Sequence, residues 1–487
     1  MKKRLQSMIA ILLCAILLLA TGCTTAAPEG QDTQQNTTSA GDTGTVTDAA
    51  APSEEGKVYN IRVAVGKQYC GEGVVKAGDV LNKQLEAEGS KDVVNVEFIV
   101  VESLIDSFTV WSRENNLPEL AVDSIKGLND IVGAGYTIDN AFVVNDEAYS
   151  EMSQSLRNQG RNYYDQEKYD AVTFDTEFRM VMIYKPALQQ LGWTEEQIEQ
   201  WKQDARAGKV TTADLQNIAK QIVDAGICEF GITHRPEKCA DNRFFFVTWA
   251  HGIVPTNAEG QVIVRKSEIR DYLNYWRTNV QMGLTPYNFM TDYNADMLYN
   301  DILPQGKAFA YYGHIEIKSR MMKGAGVSGE YVDENYFSIP APVSRQGDQP
   351  VCGSNPRGIT MTTAVESNPQ LKEYCRRLMD CLLDDEVQLD LSLRSGHVAI
   401  LSKTMETEEY KADKWMYDTD YVFDCIFSLP AIKSLLKYVD SQELYNAYQE
   451  AELKALDPNA RSIDAIVDEV VELMTFNMDD GSFIVEE

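Results

Sequence analysis

Asn60-Ile-Arg-Val-Ala-Val65, Val93-Val-Asn-Val-Glu-Phe-Ile-Val-Val101 and Pro118-Glu-Leu-Ala-Val122 are three short apolar runs in the first third of the chain. Each is short enough for a buried strand and rich in β-branched residues. Helical segments separate them, Gly78 to Glu88 and Leu104 to Asn115. Strands alternating with helices predict right-handed βαβ units and an open parallel sheet. Gly66-Lys-Gln-Tyr69 follows the first strand and Asp123-Ser124 the third. Ligands of open α/β sheets sit beyond the carboxyl ends of the strands, so Tyr69 and Asp123 are candidate contacts.

Further along, Thr194 and Gln197 have capping-box spacing. Thr212 is placed to cap a helix with the apolar stripe Leu215, Ile218, Ala219, Ile222 and Val223, ended by Gly226. Lys307-Ala-Phe-Ala-Tyr-Tyr312 and Tyr336-Phe-Ser-Ile339 read as strands, the second leaving its sheet at Pro340-Ala-Pro342. Late helices are expected over Pro369 to Asp384 and Ser462 to Met474. Gly324-Ala-Gly-Val-Ser-Gly329 spells a dinucleotide fingerprint, but a helical stretch precedes it where the motif needs a strand. It is rejected, no phosphate-binding loop of the ATPase type occurs, and no cofactor is expected.

The N-terminus sets the compartment. Lys2, Lys3 and Arg4 precede an apolar run, Ile9 to Leu19, and the small residues Ala20-Thr21-Gly22 lead into Cys23. This is a secretory-signal layout, too short to span a bilayer as a helix. Leu19-Ala20-Thr21-Gly22-Cys23 resembles the lipobox of bacterial lipoproteins, which implies cleavage after residue 22, acylation of Cys23 and a lipid anchor on the extracytoplasmic face. Thr24 to Lys57 holds no aromatic residue and reads as a disordered tether over 23–57. The body from Val58 onward is long enough for two domains.

The formal charge of −30 argues against nucleic acid or anionic lipid as a partner. Of nine cysteines, Cys14 and Cys23 belong to the signal region, leaving an odd seven at irregular spacing. That pattern argues against a disulfide or zinc framework.

Asp175, Glu177 and Arg179 alternate, so on a strand they share one side, about 7 Å apart. Planar polar groups of this kind pair with adjacent sugar hydroxyls, and aromatic faces stack on sugar C–H surfaces. Trp249 and Tyr312 are the stacking candidates. The four histidines, His234, His251, His314 and His397, include no pair at helical metal-ligand spacing, and no metal site is expected.

Several patterns, in order, resemble the sugar-type extracellular solute-binding lipoproteins (family 1, the maltose-binding-protein-like class). They are Leu117 to Val122; Asp175 to Arg179 with Met182-Ile-Tyr-Lys-Pro-Ala-Leu-Gln-Gln-Leu-Gly-Trp193; Gly231-Ile-Thr-His-Arg-Pro236; Phe244 to Trp249 with His251-Gly252; Gly306 to His314; Ile339 to Pro342; and Ser395-Gly-His-Val-Ala-Ile400. Lys185-Pro186 departs from the usual Asn-Lys, His251-Gly252 from Gly-Gly, and His314 stands where Trp is common. The resemblance implies a two-lobed, periplasmic-binding-protein-like α/β fold, with open sheets flanked by helices and a hinge of crossover strands. One lobe would comprise 58–172 plus 353–398, the other 173–352 plus 399–487. It implies capture of a carbohydrate for the permease of an ABC importer, without catalysis. The contacts would come from Tyr69, Asp123, Asp175, Glu177, Arg179, His234, Arg235, Trp249, Tyr312 and His314. A binder of oligopeptide or another polar solute, or a surface adhesin, fits the signal, tether and lobes equally. A glycoside hydrolase using Asp175 and Glu177 fits less well, because strand neighbours lie on one face of a ligand whereas hydrolases place two carboxylates across the bond.

Overall fold

The computed structural model describes residues 56–487 apart from 153, 163–164, 166, 237–260, 349, 351–352, 414, 416–440, 458 and 477–482. Cys23, the signal, the tether up to residue 55, Trp249 and His251 lie outside the described residues.

The three apolar runs form the expected parallel arrangement. β1 (Val58–Val65) lies between β2 (Val93–Val100) and β3 (Leu120–Ser124), parallel to both. Its Ile61, Val63, Ala64 and Val65 are fully buried. The first helix, α1 (Gln68–Ala87), starts ten residues earlier than periodicity suggests, so Tyr69 sits in its first turn and not in a loop. Gly71 and Gly73 hid that start, since glycine is a poor helix former. Both are required by packing: an added Cβ would lie 2.3 Å from the Phe98 ring and 2.4 Å from Leu391.

The fold turns on two long strands. β4 (Val172–Tyr184) pairs antiparallel with β9 (Gly353–Met361) over its first half, and with β7 (Ala308–His314) and β8 (Tyr336–Ile339) over its second. β9 also pairs antiparallel with β3, and β5 (Phe230–His234) lies parallel to β7. The order is therefore β2-β1-β3-β9-β4-β7-β5, with β8 on β4. β6 (Val262–Arg265) and β10 (Phe483–Glu486) form a separate parallel pair. The result is a two-lobed α/β fold, open mixed sheets flanked by helices and joined by the crossover strands β4 and β9. One face of β4 packs Phe174, Phe178, Met180 and Met182 into the core, which turns the polar residues at 175, 177 and 179 to the other face.

The helix signals hold with small shifts. Thr194 and Gln197 close a capping box on α2 (Glu195–Arg206). For α3 (Thr212–Asp224) the cap is Thr211, one residue before the expected Thr212, because Asp214 accepts from the Thr211 N–H at 2.9 Å. α4 (Lys266–Gln281) and the late helices α8 (Ser441–Leu456) and α9 (Ile463–Thr475) pack together. Gly324 to Gly329 joins α5 (Ile317–Ala325) to a second helix, Gly329–Asn335, which is not a dinucleotide-binding context. α6 (Pro369–Cys381) and α7 (Asp385–Ser395) cover α1. Among the described residues, no helix is long and apolar enough to cross a membrane.

Candidate functional site

The alternating row on β4 is the centre of a buried polar cluster. Arg179 Nη2 lies 3.1 Å from Glu177 Oε2. Its cross-strand partner on β7 is His314, whose Nε2 contacts Arg179 Nη1 and whose Nδ1 is 3.2 Å from Glu177 Oε2. A guanidinium can only donate, so Nε2 accepts and the imidazole proton sits on Nδ1, donated to Glu177.

Arg357, opposite Asp175 in the β4–β9 register, closes the other side. It donates to Glu177 and to Tyr69 Oη (3.2 Å), and its Nη1 is 3.9 Å from Asp123 Oδ1. Tyr69 Oη lies 3.4 Å from Asp175 Oδ2. The same carboxylate oxygen is 2.8 Å from His397 Nδ1, and His397 Nε2 is 3.7 Å from Glu316 Oε2. Glu316 is held in turn by Arg320, through Nε at 2.8 Å. Asp123 stands at the end of β3 beside Gly66, where an added Cβ would come within 2.7 Å of its carboxyl.

The centre of the cluster is out of water, with Asp175 and Glu177 4% exposed and His397 0%, while Asp123 and Arg320 at its edge stay partly exposed. Buried charges persist only when paired and hydrogen-bonded. Asp123, Asp175, Glu177 and Glu316 face Arg179, Arg320, Arg357 and His397, so the signs balance. Burial alone would lower the His397 pKa. The Asp175 charge and hydrogen bond, helped by Glu316, overcome it and raise the group to about 10. Burial, and then Asp175, push the Tyr69 phenol far above its ordinary range, and burial pushes the Cys70 thiol up to about 12.

Among the described residues, Glu177, His314 and Glu316 place one potential metal-ligand atom each within 4.8 Å of one another. Arg179 already contacts the first two and Arg320 the third. A cation would have to displace both guanidiniums, so this donor set does not suit a metal. Beside the cluster is a cavity of about 710 Å³, bordered by Ile315, Ser319, Met322, Arg394, Gly396 and Trp415.

The structure brings together six of the sequence candidates: Tyr69, Asp123, Asp175, Glu177, Arg179 and His314. His234 and Tyr312 are placed elsewhere, paired on β5 and β7 and buried beneath α4 and α8. His234 Nε2 is 3.3 Å from Glu452 Oε1, and its ring packs on Trp276 (4.4 Å) and Phe289 (4.9 Å). Tyr312 Oη is 2.9 Å from Tyr275 Oη. The Arg235 carbonyl accepts from His234 Nδ1 at 3.2 Å. Sequence reading missed Arg357, Glu316 and Arg320 and left His397 outside the site. The signal for Arg357 was masked by Pro356, since proline within a run speaks against a strand.

No protein-family model matches the chain, and no curated protein does. Solved structures do. The sugar-binding protein MalE of Xanthomonas citri superposes with a TM-score of 0.66 at 13% identity, covering 85% of this chain and 96% of that one. Maltose-bound MalE3 of T. maritima gives 0.62 at 15%, covering 86% and 100%. The family 1 extracellular solute-binding protein of Alicyclobacillus acidocaldarius gives 0.59 at 14%, covering 87% and 98%. Across nearly the whole length of those proteins, this chain has the two-lobed fold of the MalE-like extracellular solute-binding proteins.

Proposed function

We propose that this chain is an extracytoplasmic solute-binding lipoprotein, anchored through acylated Cys23, that captures a carbohydrate between its lobes and delivers it to the permease of an ABC importer. The observation that carries the reading is the buried row Asp175, Glu177 and Arg179 on a strand shared by both lobes, met by Tyr69 and Asp123 at the ends of lobe-forming elements. Carboxylates and guanidiniums fixed by neighbours match the hydroxyl pairs of a sugar without having to be ordered on binding. The likeness to proteins named as sugar-binding supports the same substrate class.

The reading is one of binding. Asp175 and Glu177 lie on one face of one strand and are each engaged by a cation, His397 and Arg357, an arrangement that suits recognition and not bond cleavage across a sugar. Ligand bridging the lobes would stabilise a closed form, which docks on the permease.

The test is thermal unfolding of the chain against mono- and oligosaccharides, with peptides and polyols alongside. Ligand at a hundred times its dissociation constant adds about 2.7 kcal/mol. A shift with a saccharide and no product formed is the expected result. A shift with peptides alone would refute the carbohydrate assignment. Lipidation is checked by palmitate incorporation, expected in the parent and lost in Cys23→Ser; label retained in the variant would refute the anchor.

A further inference from the structure

With the lobes divided as 58–172 plus 353–398 and 173–352 plus 399–487, the chain would cross between them in β4, at the start of β9 and just after His397. Each crossing contributes a charged side chain to the same cluster: Asp175 and Glu177 from β4, Arg357 from β9, and His397 from the third. We propose that this cluster is a latch that fixes the angle between the lobes in the absence of ligand, with His397 as its pivot.

The geometry gives His397 a hydrogen bond on one element and a looser ionic contact on another. Its Nδ1 holds Asp175 on β4 at 2.8 Å, and its Nε2 faces Glu316, just beyond β7, at 3.7 Å. The ring also meets the edge of Tyr69, on α1, at 5.4 Å. Gly396 lies in ordinary packing distance of the same region, an added Cβ falling 3.4 Å from Glu316 Cα. α7 is tied to α1 on one side, with Arg394 Nη1 2.8 Å from Glu72 Oε2. On the other side of the crossing, Trp415 Nε1 donates to the Ile315 carbonyl at 2.9 Å. With His397 in the lobe of 353–398 and both Asp175 and Glu316 in the lobe of 173–352, a rotation of one lobe against the other must lengthen at least one of the two His397 contacts. The chemistry keeps the latch set at neutral pH: the groups facing the imidazole are Asp175, Glu177, Glu316 and the Tyr69 phenol, and the carboxylates favour the charged ring. The inference needs no particular ligand and stands apart from the carbohydrate assignment.

The test reads the interlobe distance directly and without ligand. Spin labels are placed on the full chain in detergent at Lys83→Cys on α1 and Glu199→Cys on α2, both exposed, with the unsubstituted chain as background. Pulsed dipolar spectroscopy is then compared for the parent, for His397→Gln and for Glu316→Gln. Glu452→Gln, which alters a buried histidine pair within one lobe, is the control. The expected result is a narrow distribution in the parent and control, and one about twofold wider, or displaced, in His397→Gln, with a smaller change in Glu316→Gln. Should His397→Gln fail to fold, Glu316→Gln decides alone. A parent-like distribution in a folded His397→Gln, or in Glu316→Gln where that variant stands alone, overturns the latch whether or not any sugar binds.

Discussion

Replacing Glu452 by alanine removes the acceptor that serves two buried groups. Oε1 lies 3.3 Å from His234 Nε2, and Oε2 accepts from Tyr272 Oη at 2.6 Å; all three residues are 0% exposed. Leaving these two buried donors without an acceptor costs about 1–3 kcal/mol each, about 2–6 kcal/mol in all, because the medium around them cannot solvate them. Glu452→Gln keeps an acceptor for Tyr272 and should cost less, about 1–2 kcal/mol. Urea unfolding at neutral pH, followed by tryptophan fluorescence, measures the loss; Trp276, whose ring is 4.4 Å from the His234 ring, is one of the six tryptophans that report it. In thermal unfolding the alanine variant should melt roughly 2–7 °C lower, at about 1 °C per kcal/mol for a body of this size. A loss below about 1 kcal/mol for Glu452→Ala would refute the argument, because it would mean that water reaches the pair. Unchanged stability with lost sugar affinity would move His234 from the core to the binding surface.

Tyr69→Phe removes the hydroxyl between Arg357 and Asp175; calorimetry should show stability lower by about 1 kcal/mol and affinity for the captured saccharide about tenfold weaker, and unchanged affinity would remove Tyr69 from the site. Asp380 is raised to about 7 by burial and by the charge of Asp146, which together outweigh Arg376. Its stabilising contribution is therefore full below about 3.8 and lost as pH rises through about 7. Melting temperature should fall between pH 5 and 8 in the parent and less steeply in Asp380→Asn; equal slopes would dismiss the shift. Gly66→Ala drives a methyl to within 2.7 Å of the Asp123 carboxyl and should weaken saccharide binding measured by titration, at a stability cost of about 1–3 kcal/mol. Parent-like binding would show that the carboxyl swings aside freely.

The parts of this fold that were legible in sequence are those coded within a few residues. Strand period two placed Asp175, Glu177 and Arg179 on one side, and the structure has them on one face of β4. The Thr194 capping box and the three apolar runs were readable for the same reason. What escaped depends on distant pairing. The partner of Tyr272 lies 180 residues away, and Arg357 meets Glu177 at the same separation. No local pattern distinguishes a polar residue aimed at a cleft from one satisfied inside a lobe, and His234 and Glu177 look alike in that respect. The start of α1 was hidden because the glycines that weaken its helical signal are the ones its packing requires.

The crossing strand β4 has a consequence for how this protein varies. Asp175, Glu177 and Arg179 belong at once to the candidate recognition surface and to the ionic framework between crossings. A substitution at 177 disturbs Arg179, His314 and Arg357 together, so a change of specificity made there also changes the mechanics. Lineages and laboratory libraries exploring new ligands would then find the row at 175–179 nearly frozen, and would diversify instead at the ends of β1 and β3. Exchanging one lobe for that of a relative would meet the same obstacle, because the ionic framework is written into both halves and has to be inherited as a unit.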